Sequence, residues 1–142
     1  MKKNIFIKFI MFIVMMFSFT ACDLSFLSAL TTKEAPAEMV GKYELTDIEG
    51  LYGLTPDVYE YNYIELEKDY TYHLENKAYG TITAQDGNWS YDEELSEITF
   101  TTTINESTYS KDVAKYNKEE KSFEVSSTIE GYKITMTFTL KK

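Results

Sequence analysis

From Val40 to the C-terminus, apolar and polar residues alternate with the period of two expected of half-buried β-strands, broken at short intervals by turn-forming groups. The last run alternates without a fault: Ile134, Met136, Phe138 and Leu140 on one face, Thr135, Thr137 and Thr139 on the other. The first, over residues 40–48, sets Tyr43 and Leu45 against Lys42, Glu44 and Thr46. Between them the pattern predicts strands over 58–67, 70–74, 79–83, 89–91, 95–104, 111–116 and 123–129, although Tyr109, Val113 and Tyr116 also fit a helical spacing and it is the polar turn after Tyr116 that favours a strand there. The turns are expected at Lys68-Asp69, Glu75-Asn76-Lys77, Gln85-Asp86-Gly87-Asn88, Asp92-Glu93-Glu94, Asn117-Lys118-Glu119-Glu120-Lys121 and Glu130-Gly131. In 58–67, Tyr59, Tyr61 and Tyr63 share one face while Ile64 and Leu66 fall on the other, so a bulge is expected near Tyr63-Ile64.

These are eight or nine short strands with no helix long enough for a crossover, so neighbours must run antiparallel. The fold class expected is all-β, an up-and-down antiparallel meander closed into a small eight-stranded barrel, since closure removes exposed strand edges. Residues 50–57 hold two glycines and a proline but also Leu51, Tyr52 and Leu54, and read as a plug over one barrel end or a gate to its interior.

Upstream of the barrel the pattern changes. Met1-Lys2-Lys3-Asn4 is a short positive segment, and residues 5–19 are apolar but for Lys8 and Ser18, as in a secretory signal peptide. Thr20-Ala21-Cys22 at its end resembles the lipobox of bacterial lipoproteins, which implies cleavage before Cys22 and diacylation of that cysteine. Cys22 is the only cysteine, so an intramolecular disulfide is excluded. The expected organisation is a signal peptide over 1–21, a lipid-anchored tether over 22–39 with a short helix possible over 32–39, and the barrel domain over 40–142. The protein is expected on a bacterial cell membrane, held by its N-terminal lipid and facing outside the cytoplasm. Asp23 resembles the inner-membrane retention signal of Gram-negative lipoproteins.

Charge narrows the partners. The chain carries 23 acidic residues against 14 basic ones, and every basic residue is lysine. A net charge of −9 argues against nucleic acid, whose phosphates need clustered cations. It also puts membrane attachment on the lipid rather than on a basic patch.

Three stretches are similar to bacterial lipocalin-like domain lipoproteins. Gly41-Lys42-Tyr43-Glu44-Leu45 looks like the Gly-x-Trp strand that opens lipocalins, with tyrosine in the place of tryptophan. The stretch from Ile64 to Tyr72 is similar to their second-strand hairpin. Gly87-Asn88-Trp89-Ser90-Tyr91-Asp92, followed by Ile98-Thr99-Phe100, resembles their Gly-x-Trp-x-Tyr-Asp signature. The resemblance implies an eight-stranded barrel, secretion and small-ligand binding.

Candidate chemistry is sparse. His73, the one histidine, is expected to point outward, and without cysteine partners it makes no zinc site. Asp86, Asn88 and Asp92-Glu93-Glu94 offer oxygens for calcium, but turns attract these residues for backbone reasons. No metal, no cofactor and no catalytic residues are expected, and the protein reads as a non-enzyme. The twelve tyrosines are the most unusual feature, since each offers an apolar body with a polar tip suited to a ligand cavity. Tyr43, Tyr52, Tyr61, Tyr72, Trp89 and Tyr91 are the candidate ligand-binding residues, for a small apolar or aromatic molecule held in the barrel. The alternative is a filled barrel that acts as a structural or interaction lipoprotein through a protein partner in the envelope.

Overall fold

The computed structural model describes residues 34–50, 53, 55–105, 108–129 and 131–142. Eight strands form a closed antiparallel up-and-down barrel in sequence order. They are β1 (Gly41–Glu49), β2 (Tyr59–Leu66), β3 (Thr71–Ala78), β4 (Thr81–Asp92), β5 (Glu97–Asn105), β6 (Thr108–Asn117), β7 (Ser122–Ile129) and β8 (Tyr132–Leu140). A single 3-10 turn, Pro56–Val58, precedes β2.

Two expected strands are in fact one. The segments at 79–83 and 89–91 belong to the 12-residue β4, and Asp86-Gly87-Asn88 lies inside it, opposite His73, Tyr72 and Thr71 of β3. Gly87 serves close approach rather than a turn. A Cβ there would collide with the Thr101 carbonyl oxygen and come within 2.6 Å of the Tyr72 ring. The true turn is Tyr79-Gly80, with φ of 51° and 78°, the left-handed pair that a two-residue hairpin needs. Glu75-Asn76-Lys77 accordingly falls inside β3, and Tyr70, at φ 65°, belongs to the turn before β3. The Asp69 carboxylate holds that turn by accepting from the Thr71 amide at 3.0 Å and its hydroxyl at 2.6 Å. The bulge of β2 falls between Tyr59 and Tyr61, not at Tyr63-Ile64.

The domain also begins earlier than Val40. Residues 37–39 make one turn, not a helix, with the Met39 amide bonded to the Pro36 carbonyl at 2.9 Å. Met39 is 1% exposed, and its carbonyl accepts from the Tyr43 hydroxyl at 2.9 Å. The Ala35 amide bonds to the Lys68 carbonyl at 3.1 Å, so this segment caps one end of the barrel.

That end is closed and packed. All eight neighbouring strand pairs are laddered there, around Tyr43, Trp89, Ile98, Phe100, Phe123 and Phe138. Phe123 is the hub: its ring meets Tyr43 at 5.0 Å, Phe138 at 5.3 Å and Phe100 at 5.6 Å.

The other end flares. The β1–β2 ladder stops at Glu44–Tyr63, β4–β5 at Asn88–Thr101, and β6–β7 at Ala114–Val125. The remaining ladders run on towards the rim, leaving three petals: β2-β3-β4, β5-β6, and β7-β8-β1. Bulges at Leu45/Asp47, Tyr59/Tyr61 and Thr103/Asn105 all lie in this flared half, where their extra twist bends strands away from their neighbours.

Gly87→Ala should destabilise the protein by about 2 kcal/mol in urea unfolding, as overpacking does. A near-neutral result would mean that β4 is broken at this point.

Candidate binding chamber

Alternation decides which residues face inward in the flared half. Buried Tyr72, Leu74, Asn76 and Ala78 fix the inner face of β3, and their partners on β4 are Gly87, Gln85, Thr83 and Thr81. Phe100 and Ile98 fix the inner face of β5, which places Thr102 inward, and Thr102, Phe100 and Ile98 pair with Ser110, Asp112 and Ala114 of β6. Val125 and Ile134 likewise turn Ser127 and Met136 inward.

The chamber so outlined has two unlike walls. Ile48, Tyr59, Ala78 and Ile134 form an apolar cluster with Leu45 and Met136 against it. The facing wall is polar: Thr83, Gln85, Thr102, Ser110 and Asp112. Gln85 Nε2 donates to the Tyr72 hydroxyl at 2.8 Å and to Thr102 Oγ1 at 2.7 Å, and those two oxygens lie 2.6 Å apart. Thr83, Gln85, Thr102, Asp112, Ser127 and Met136 stay partly exposed although they face inward, so solvent reaches the interior from this end. Two buried polar atoms, the Tyr59 hydroxyl and Asn62 Oδ1, find no hydrogen-bond partner among the described residues.

Asp112 is the carboxyl of the polar wall. Burial pushes its pKa up to about 6, with the Ser110 hydroxyl, 3.4 Å away, acting weakly in the other direction. The Tyr72 phenol nearby is raised as well, chiefly by burial.

The six aromatic residues singled out in the sequence scatter. Tyr43 and Trp89 are sealed in the packed end, the indole Nε1 donating to the Glu67 carbonyl at 3.1 Å. Tyr91 is half-buried there, edge-on to Tyr116 at 5.7 Å. Tyr72 spans the boundary, its ring against Phe100 and its hydroxyl in the polar wall. Tyr61 is not in the lumen: it pairs with Lys77 and turns outward beside Tyr63, because the bulge at Tyr59/Tyr61 switches the face. Tyr52 and Cys22 lie outside the described residues, as do Leu51 and Leu54 of the expected gate at 50–57. The structure therefore brings Tyr72, rather than the six together, to the chamber.

His73 points outward, with Nδ1 2.6 Å from Asp86 and Nε2 3.8 Å from Glu75. The hydrogen bond to Asp86 raises its pKa despite partial desolvation. Among the described residues, no group of His, Cys, Asp and Glu is arranged to hold a metal ion. The chamber's polar groups were legible only in part. Asp112 shares the strand face of Ala114 and Tyr116, which alternation could have shown, whereas Gln85 sat in a stretch read as a turn.

Compared with protein-family models, with curated proteins and with solved structures, the chain matches none.

Asp112→Asn tests the chamber's electrostatics. The folded pKa lies above the ordinary 3.8, so the native state binds the proton more tightly. The stabilisation from that proton is complete below about pH 4 and lost as pH rises through about 6. The variant should therefore match the wild type at pH 4. At pH 7.5 it should exceed it by about 1 kcal/mol, discounted for the solvent that reaches the half-buried carboxyl. A thermal melt at each pH reads both points.

Proposed function

We propose that this protein is a lipid-anchored, extracytoplasmic binding protein of lipocalin-like design, whose flared barrel half holds a small molecule. One observation carries the reading: inward-facing residues remain solvent-accessible at the flared end, beside buried polar atoms without partners among the described residues. A chamber with one apolar and one hydrogen-bonding wall suits an amphiphilic ligand, more polar than the purely apolar or aromatic molecule expected from the tyrosines. The role is binding rather than catalysis, because what the interior offers is an array of hydrogen-bonding groups.

The anchor half of the proposal rests on Thr20-Ala21-Cys22 after an apolar segment. Among the described residues no helix is long and apolar enough to cross a membrane. Two acyl chains on Cys22 would suffice for stable attachment. The capping segment at 35–39 joins the barrel at its closed end, so a tether leaving from there keeps the flared end away from the bilayer.

Native mass spectrometry of the full chain, purified gently from its own host in mild detergent, should show a retained small-molecule adduct. Gln85→Leu should lose it while keeping the wild-type circular dichroism. A bare wild-type mass under the gentlest conditions would overturn the proposal and favour an envelope protein that works through its outer surface.

Cys22→Ser should release the chain from the membrane fraction and abolish labelling by an alkyne analogue of palmitate. Unchanged membrane association would rule out the anchor.

A further inference from the structure

The β1–β2 seam makes a side opening into the barrel wall. Past Glu44–Tyr63 no ladder joins these strands, and a groove of about 670 Å3 lies along the gap. It runs from Tyr61, Tyr63 and Glu75 on the outer face to Tyr59 and Asn62 on the inner one.

Two independent features describe what would fit. The first is an excess of acceptors. Tyr59 is 6% exposed, and among the described residues its hydroxyl is without a partner, as is Asn62 Oδ1, an atom that can only accept. Asp57 and Glu75 add carboxylates to the lining, Glu75 lying 3.8 Å from His73 Nε2, while Glu44 and Glu60 are tied to Lys141 at 2.6 Å and Lys77 at 2.5 Å. The second is an aromatic face that already holds an ammonium: Lys42 Nζ stands 3.5 Å from the centroid of the Tyr63 ring. Tyr61 extends that surface, its ring 6.1 Å from Tyr63. Burial, and then the adjacent Glu75 carboxylate, hold both phenols above the usual tyrosine pKa, so they stay neutral.

We propose that this groove binds an organic ammonium, its cationic head between Glu75 and the Tyr61–Tyr63 rings and its other end at Asn62 and Tyr59. The inference rests on the reading of the barrel as a small-molecule binder and adds the ligand's charge and its way in. An anion is disfavoured because the carboxylates of Glu44, Asp57, Glu60 and Glu75 outnumber the Lys42 ammonium in the lining. A neutral polyol would answer the hydrogen bonds but leave the carboxylates and the ring faces unused. Lys42 acts as a built-in competitor, occupying the ring face when the groove is empty and yielding it to a ligand that brings its own ammonium.

The test is isothermal titration of the full chain in mild detergent with phenethylammonium chloride and with phenethyl alcohol, its neutral counterpart. The ammonium should bind about tenfold more tightly than the alcohol. Glu75→Gln should weaken it about tenfold, and Lys42→Met should strengthen it about threefold by freeing the ring face. Equal affinity for the two probes, or a Glu75→Gln protein that binds the ammonium unchanged, overturns the proposal. If phenethylammonium fails to bind while the native adduct survives in both variants, the groove is excluded and the chamber reading stands. If there is neither adduct nor probe binding, both fall.

Discussion

The contact of Phe123 with Tyr43, Phe100 and Phe138 brings together side chains from β7, β1, β5 and β8 at the closed end. Each of these rings is nearly or wholly removed from water. A strand barrel cannot close tightly unless its interior is filled, and here large rings fill one half of it. The capping segment completes the seal, with Met39 over the rings and Tyr43 bonded back to its carbonyl. Because every neighbouring pair of strands is laddered around this cluster, the far end does not need to be.

That division explains the flare. Beyond the rings the inward positions of one wall are occupied by Thr83, Gln85, Thr102, Ser110 and Asp112, which are small or polar and do not pack as a dry core against the apolar wall of Ile48, Tyr59 and Ile134. Bulges then turn strands apart, and three ladders end early. The result is a rigid base carrying three petals, with mouth and seams set on elements whose roots are fixed. A site on such roots keeps its geometry while its rim adapts.

The alternation of Ile134, Met136, Phe138 and Leu140 is unambiguous because one face packs on rings and the other meets water, so β8 was legible residue by residue. The barrel followed from many such strands and the lack of crossovers. What alternation alone could not show was the role of Gly87. Asp-Gly-Asn is a turn in most surroundings, and only the Tyr72 ring and the Thr101 carbonyl, remote in sequence, make glycine necessary within a strand. The tyrosines misled for a related reason. Tyr61 and Tyr63 share a face with Tyr59 in an ideal strand, but one bulged residue divides them into outer armour and inner wall. Of the candidate ligand positions, Tyr72 reaches the chamber because its ring belongs to the packed end and its hydroxyl does not.

The distribution of unfavourable groups bears on whether the flared half is built for use. A buried polar atom without a partner costs about 1–3 kcal/mol. Two of the three such atoms among the described residues, the Tyr59 hydroxyl and Asn62 Oδ1, border the β1–β2 seam, and the Asp112 carboxyl, with its raised pKa, faces the same interior. The third, the Tyr116 hydroxyl, sits in the closed half with the Tyr43 hydroxyl as a polar neighbour. A barrel shaped for stability alone would gain from apolar residues at Asn62 and Asp112, since neighbouring Leu45, Ile48 and Ile134 show that apolar side chains fit this half. Hydrogen-bonding groups kept there against that cost support the proposed binding role, since a polar ligand would satisfy them.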